Sequence, residues 1–199
     1  RDNQAVFQGG ALFIENSSGL VTNCLFLNNS SQAGGAIRIV NPDFMTFDIT
    51  NCKFYNNSAN SGGALSLILS KINISNCEFY NNSAELYGGV IHNLGANVKI
   101  IRSVFANNQA QNGACIFNYY NLGNSALKII NSTIVNHQAS ENGGALFLEY
   151  GSNTLIVNSI LAYNIPNEIY TNASELQNKL TVEYSGILGG ESSIIGNNN

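Results

Sequence analysis

Apolar and polar residues alternate along this chain in short bursts. Leu65-Ser66-Leu67 and Ile72-Asn73-Ile74 place an apolar side chain at every second position, the period of a strand with one face turned inward. Each burst lasts a few residues and is bounded by Gly or Asn. The i, i+3, i+4, i+7 spacing of an amphipathic helix is absent. The pattern predicts many short strands joined by tight turns, each too small to bury its face alone.

The bursts also recur over a longer period. Gly9-Gly10-Ala11-Leu12 returns at Gly34, Gly62, Gly88 and Gly143, with an altered copy at Asn112-Gly113-Ala114-Cys115, in steps of 25, 28, 26, 24 and 31 residues. A second block, Asn23-Cys24-Leu25-Phe26-Leu27-Asn28-Asn29, returns at Asn51 and Asn76. It degrades through Arg102, Asn131, Asn158 and Tyr184, in steps of 28, 25, 26, 29, 27 and 26. Several short strands in each repeat of 24–31 residues bury a shared core when coils stack as parallel sheets. Propeller blades need about 40 residues or more per repeat and fit poorly. The expected fold is all-β: a right-handed parallel β-helix solenoid of about seven coils, one domain spanning 1–199.

Stacking turns matching positions into ladders. Leu12, Ile37, Leu65, Ile91, Cys115 and Leu146 form one inward ladder in this reading. Phe26, Phe54, Phe79, Phe105, Ile134 and Leu161 form another. Asn23, Asn51, Asn76, Asn131 and Asn158 fall where alternation breaks between two strands. Asn suits such a corner because it tolerates left-handed backbone, and its amides can bond from coil to coil. The Gly-Gly pair marks the sharpest corner, where positive φ or close backbone approach excludes a Cβ.

Composition narrows the picture. Charged residues make up only 10% of the chain and the net charge is −4. With no basic stripe evident in the sequence, nucleic acid is not an expected partner. No apolar run reaches the ~18 residues of a membrane-spanning helix, so the chain is not expected to cross a membrane itself. Cys24, Cys52 and Cys77 share one rung, continued by Ser103, Ser132 and Ser159. Side chains in a ladder run parallel, a poor geometry for disulfides, so buried free thiols are expected. The cysteine spacing matches no zinc pattern, and neither metal nor cofactor is expected.

The pairing of Gly-Gly-Ala-Ile/Leu with Phe-x-x-Asn (Phe26 to Asn29, Phe54 to Asn57, Phe79 to Asn82, Phe105 to Asn108) resembles the repeat of the polymorphic outer membrane proteins. Those are autotransporter-type adhesins with a β-helical passenger. The closing coils around Val157-Asn158-Ser159 and Val182 to Gly190 look like the last coils of large secreted bacterial β-helix proteins. The resemblance covers nearly the whole chain. It implies a bacterial cell-surface or secreted protein, outer membrane-associated, working as a structural and adhesive stalk.

Parallel β-helices also carry polysaccharide lyases and glycoside hydrolases, whose chemistry needs carboxylates grouped on neighbouring coils. Here Asp43 and Asp48 lie around one loop, while Glu78, Glu141, Glu149 and Glu168 occupy different coil positions. Arg38 and Arg102 fall in different strands, two or more coils apart. His92 and His137 are each read as a lone histidine in a turn or on an outward strand position. Lys53 and Glu78 read as an outward cross-strand ion pair, with Tyr55 and Tyr80 stacking beside them. No catalytic residue is assigned, and the alternative is a carbohydrate-active enzyme whose site lies outside 1–199.

Length varies most between the Gly-Gly strand and the Asn-Cys corner. That segment is short at Ser70 and long at Asn41–Phe44, Asn118–Gly123 and Tyr150–Asn153. Insertions at one coil position must emerge along one edge, and loops on a rigid scaffold are where binding resides. Phe44, Tyr119 and Tyr120 are the candidate binding residues, facing a host-surface protein or a polysaccharide. Asn164 to Lys179 reads as the largest excursion, a capping or packing loop. Asp2-Asn3-Gln4-Ala5 aligns with Asn56-Asn57-Ser58-Ala59, so the chain opens inside a coil. Uncovered coil ends are strand-pairing edges, so the expected neighbours are further coils of a longer chain or a capping or secretion partner.

Overall fold

The structure is a computed structural model that describes residues 1–43, 45–119, 126–172 and 178–196. One coil shows the plan: strands Leu65–Ile68, Lys71–Ser75, Glu78–Tyr80 and Ser83–Tyr87 follow one another with corners of two or three residues. Each strand pairs in parallel with its equivalents one repeat away. The strands equivalent to these four form sheets 1 to 4, with eight, seven, seven and five strands among the described residues. The alternation predicts the facing. In Lys71–Ser75, Ile72 and Ile74 are buried and the residues between them are not.

The corners explain the repeat. Between sheets 2 and 3 the residues Asn23, Asn51, Asn76, Asn131 and Asn158 all hold left-handed backbone, φ 48 to 53. Arg102 and Tyr184 hold the same corner at φ 48 and 49, so Arg102 turns a corner and is not in a strand. The next residue is the Cys/Ser rung, and its smallness serves a hydrogen bond as well as packing. The Cys77 N–H donates to Ser103 Oγ (3.1 Å), Ser103 N–H to Ser132 Oγ (3.2 Å) and Ser132 N–H to Ser159 Oγ (3.1 Å). The four cysteines are free thiols. Contact with Cys52, together with burial, pushes the Cys77 thiol up, so it stays protonated.

Between sheets 3 and 4 the Asn-Asn pair divides its labour. Asn28, Asn56, Asn81, Asn107 and Asn136 take the left-handed corner, φ 55 to 58. Asn29, Asn57, Asn82 and Asn108 turn inward and are fully buried. Asn82 Oδ1 accepts from both the N–H (3.0 Å) and the Nδ2 (2.9 Å) of Asn57, while Asn82 Nδ2 donates to Phe54 O (2.9 Å) and Asn108 Oδ1 (3.1 Å). Repeated from coil to coil, this satisfies backbone groups that the corner would otherwise strand without partners. His137 takes over the next rung, where its Nδ1 accepts the Asn108 N–H (3.0 Å), leaving the proton on Nε2. Asn164 resumes the ladder by accepting the His137 N–H (2.9 Å).

The Gly-Gly corner joins sheet 4 to sheet 1. The first glycine takes positive φ, and a Cβ on the second would lie 2.2 Å from the next coil's carbonyl, as at Gly63 against Gly89 O. This fixes the register of the altered copy. Gly113, at φ 63, is the left-handed position, so Ile116 rather than Cys115 pairs with Ile91 and Leu146. The inward ladder is therefore Ile37, Leu65, Ile91, Ile116 and Leu146, and Cys115 sits buried at the corner itself. Inside, Phe26, Phe54, Phe79 and Phe105 stack nearly parallel with centroids 4.7 to 4.8 Å apart.

The segment 164–179 is not a single excursion. It contains the strand Ile169–Asn172, which pairs in register with Leu146–Glu149 in sheet 1. Ile169 supplies the next apolar rung of that sheet, and burying it outweighs the irregular approach through Asn164–Glu168.

Candidate functional site

The segments that leave sheet 1 for sheet 2 emerge along one edge, as the length variation predicts. The shortest are held by their own side chains. Asn93 accepts the Ala96 N–H at Oδ1 (3.0 Å) and donates from Nδ2 to Ala96 O (3.0 Å), pinning the turn at Gly95. The same Nδ2 reaches Asn118 Oδ1 on the next coil at 2.6 Å. Tyr119 closes the strand Ile116–Tyr119 and meets the Tyr150 ring edge-on, with centroids 5.0 Å apart. Glu149 lies beside Tyr119 in register and accepts from Asn172 Nδ2 (2.9 Å). Burial pushes the Glu149 carboxyl up from its ordinary value. Tyr119, Glu149, Tyr150 and Asn172 thus form an aromatic and polar patch. Phe44 and Tyr120 lie outside the described residues, so of the three candidates only Tyr119 is placed. Tyr150 is its unforeseen partner; the signal was a Tyr at the end of one sheet 1 strand and another just past the end of the next.

The acidic side chains do not converge. Asp48 accepts from Asn73 (2.8 Å), Glu141 from Gln111 (2.8 Å) and Asn112 (2.9 Å), and Glu168 from Asn164. On sheet 3, Glu78 takes the Tyr55 hydroxyl and an ion pair with Lys53 Nζ at 3.2 Å. The Tyr55 hydrogen bond and then Lys53 hold its carboxyl below the usual range, against burial. Tyr80 meets Tyr55 edge-on at 5.5 Å, a contact between rings. Among the described residues no register pair joins two acids, and no three His, Cys, Asp or Glu side chains gather in a way that could hold a metal ion.

The outward column of sheet 1 was not foreseen. His92, Phe117, Phe147 and Tyr170 follow one another in register, with ring centroids 5.6, 5.0 and 4.9 Å apart. Tyr87 folds over the stack from sheet 4, 4.6 Å from Phe117. Phe117 and Phe147 are buried, so this stack is an outer packing layer. Burial, then the nearby Arg38, lowers the His92 pKa to about 4. Burial alone dominates at His137, lowering it to about 3.

The model of the right handed beta helix region matches residues 1–161. The chain belongs to that family. Searches of curated proteins and of solved structures found no match. Family and fold agree on the solenoid, and both are compatible with a surface stalk or with a carbohydrate-active enzyme. No helix among the described residues is long and apolar enough to cross a membrane.

Proposed function

We propose that this chain is a structural and adhesive stalk of a bacterial cell-surface or secreted protein, binding through the edge between sheets 1 and 2. One observation carries the reading. The interior ladders of Asn, Phe and Ser/Cys run from coil to coil, while the long insertions gather at a single edge; elsewhere length changes only by bulges in sheet 4 and by the shortened path from Ala162 to Ile169. A rod with a constant interior and one variable edge suits presentation of contact loops. The resemblance of the Gly-Gly-Ala-Ile and Phe-x-x-Asn repeat to polymorphic outer membrane proteins supports a surface location. The scattered, amide-held carboxylates support a role without polysaccharide cleavage.

The test has two arms. Beads coated with the chain should adhere to a cultured epithelial layer, and the Tyr119→Ala, Tyr150→Ala pair should lose most of that adhesion. Incubation with pectin, alginate and xylan should release no new reducing ends. Release of reducing ends by the purified chain would replace this reading with the enzymatic one.

A further inference from the structure

Lys71, Lys99, Lys128 and Lys179 lie 28, 29 and 51 residues apart in the sequence, and nothing in that spacing groups them. The fold does. All four are exposed and belong to sheet 2, within the five adjacent strands from Lys71–Ser75 to Lys179–Glu183. Half of the chain's eight Lys and Arg therefore face one way in a protein of net charge −4.

Lys99 and Lys128 stand directly opposite each other in the register. Like charges so placed repel, and at a strand spacing of ~4.8 Å that cost is retained with no acid to offset it. Among the described residues the only ion pairs are Arg1 with Asp2 and Lys53 with Glu78, neither on this face. Asp48, the nearest acid in the same column, is two coils from Lys99 and already accepts from Asn73. Lys71, Lys99 and Lys128 surround a shallow cleft of about 220 Å³ whose remaining lining is Asn73, Asn97, Val98 and Ala126.

We infer that the outer face of sheet 2 binds a linear anionic glycan laid along the solenoid axis. Charge complementarity selects the partner: ammonium groups on four of five adjacent strands, all but Asn153–Val157, span ~19 Å of axis, taking four strand spacings of ~4.8 Å, and the acids nearby, Asp48 and Glu183, form no ion pair with them among the described residues. Asn73 donates to Asp48 and Asn97 accepts the Ala126 N–H, which leaves Asn73 Oδ1 as an acceptor and Asn97 Nδ2 as a donor for sugar hydroxyls. A membrane surface fits less well, because on these five strands Val182 is the one exposed large apolar side chain, and interfacial binding needs a set of such anchors. Lys presents point charges rather than a planar fork, so carboxylate and sulfate are both accommodated.

Polygalacturonate and dextran sulfate serve as probes, with uncharged dextran and phosphatidylserine-containing vesicles for comparison. The full chain should bind at least one polyanion at low salt, and which one binds tells carboxylate from sulfate. Screening should weaken it about tenfold between 50 and 300 mM salt, and dextran should not bind. The Lys99→Gln, Lys128→Gln variant should lose about fivefold in affinity per lysine, whereas Lys53→Gln, which removes a cation from sheet 3, should change nothing. The double variant relieves a repulsion, so it should fold at least as stably, as a melting curve will show. Binding to vesicles alone, or polyanion binding unchanged in the double variant, overturns the inference. Neither result bears on the edge between sheets 1 and 2, which the double variant leaves intact.

Discussion

The corner between sheets 3 and 4 and the edge between sheets 1 and 2 make the same connection, from one parallel strand to the next, in opposite ways. At the first, two residues suffice in coil after coil: one Asn in the left-handed region, one Asn buried and bonded both forward and back. At the second, the path varies from the two-residue link of Leu69 and Ser70 to the longer segment between Val40 and Thr46. The difference lies in who satisfies the backbone. A buried corner must find a partner for every N–H and C=O, which admits few side chains. The edge also buries Ser70, Ala96 and Ser152, but it adds length in exposed residues such as Pro42 and Asp43 that water satisfies, at little cost because loop closure entropy grows slowly.

The sharpest way to break this contrast is Asn82→Ala. It removes an acceptor used twice and a donor to Phe54 O and Asn108. Leaving two or three buried groups unpaired should cost about 3–5 kcal/mol, read from denaturant midpoints. A loss near zero would mean water replaces the ladder.

His137→Asn sharpens the contrast instead. The His137 pKa falls from 6.5 unfolded to about 3 folded. As pH drops below 6.5 the unfolded chain takes up a proton that the folded chain refuses, so stability present above pH 6.5 is lost on the way to pH 3. The variant should gain on the order of 2 kcal/mol over the parent at pH 4.5, with little of that gain at pH 8. A gain independent of pH would point to packing alone.

Much of this contrast was legible in the sequence, and what escaped did so for physical reasons. The Phe rungs, the Cys/Ser rungs and the Gly-Gly corners each rest on one residue class at a fixed place in its block, so reading them needs no partner. The buried Asn29, Asn57, Asn82 and Asn108 were hidden because Asn in a polar run looks like solvent-facing turn. The frame at 112–115 slipped by one because Ala114 replaces the second glycine, and only the left-handed backbone at Gly113 marks the register. Tyr119 was singled out at the variable edge, but Tyr150, which opens another of its long segments, was not paired with it, because their contact crosses coils of unequal length. The lysine face shares this cause: its members are neighbours only after the coils stack.

Smaller effects follow on either side of the contrast. At the neighbouring corner, Asn51→Ala should cost about 1–2 kcal/mol, the penalty of a left-handed residue without the local compensation of Asn. Asn51→Gly should lie within a few tenths of a kcal/mol of the parent. Equal losses for the two would show that the Asn51 side chain, not its φ of 53, matters. At the edge, Tyr150→Ala forfeits one ring contact and should cost only about 0.5–1 kcal/mol, measured in the same denaturant series.

The central claim is that the interior fixes the shape and the edge is free to vary. It is tested most directly by inserting one five-residue Gly/Ser segment after Gly151 and, in a separate variant, after Asn82. The account predicts a melting shift of a few degrees and intact cooperative unfolding for the first, and loss of the cooperative transition for the second. Equal effects at the two sites would contradict it.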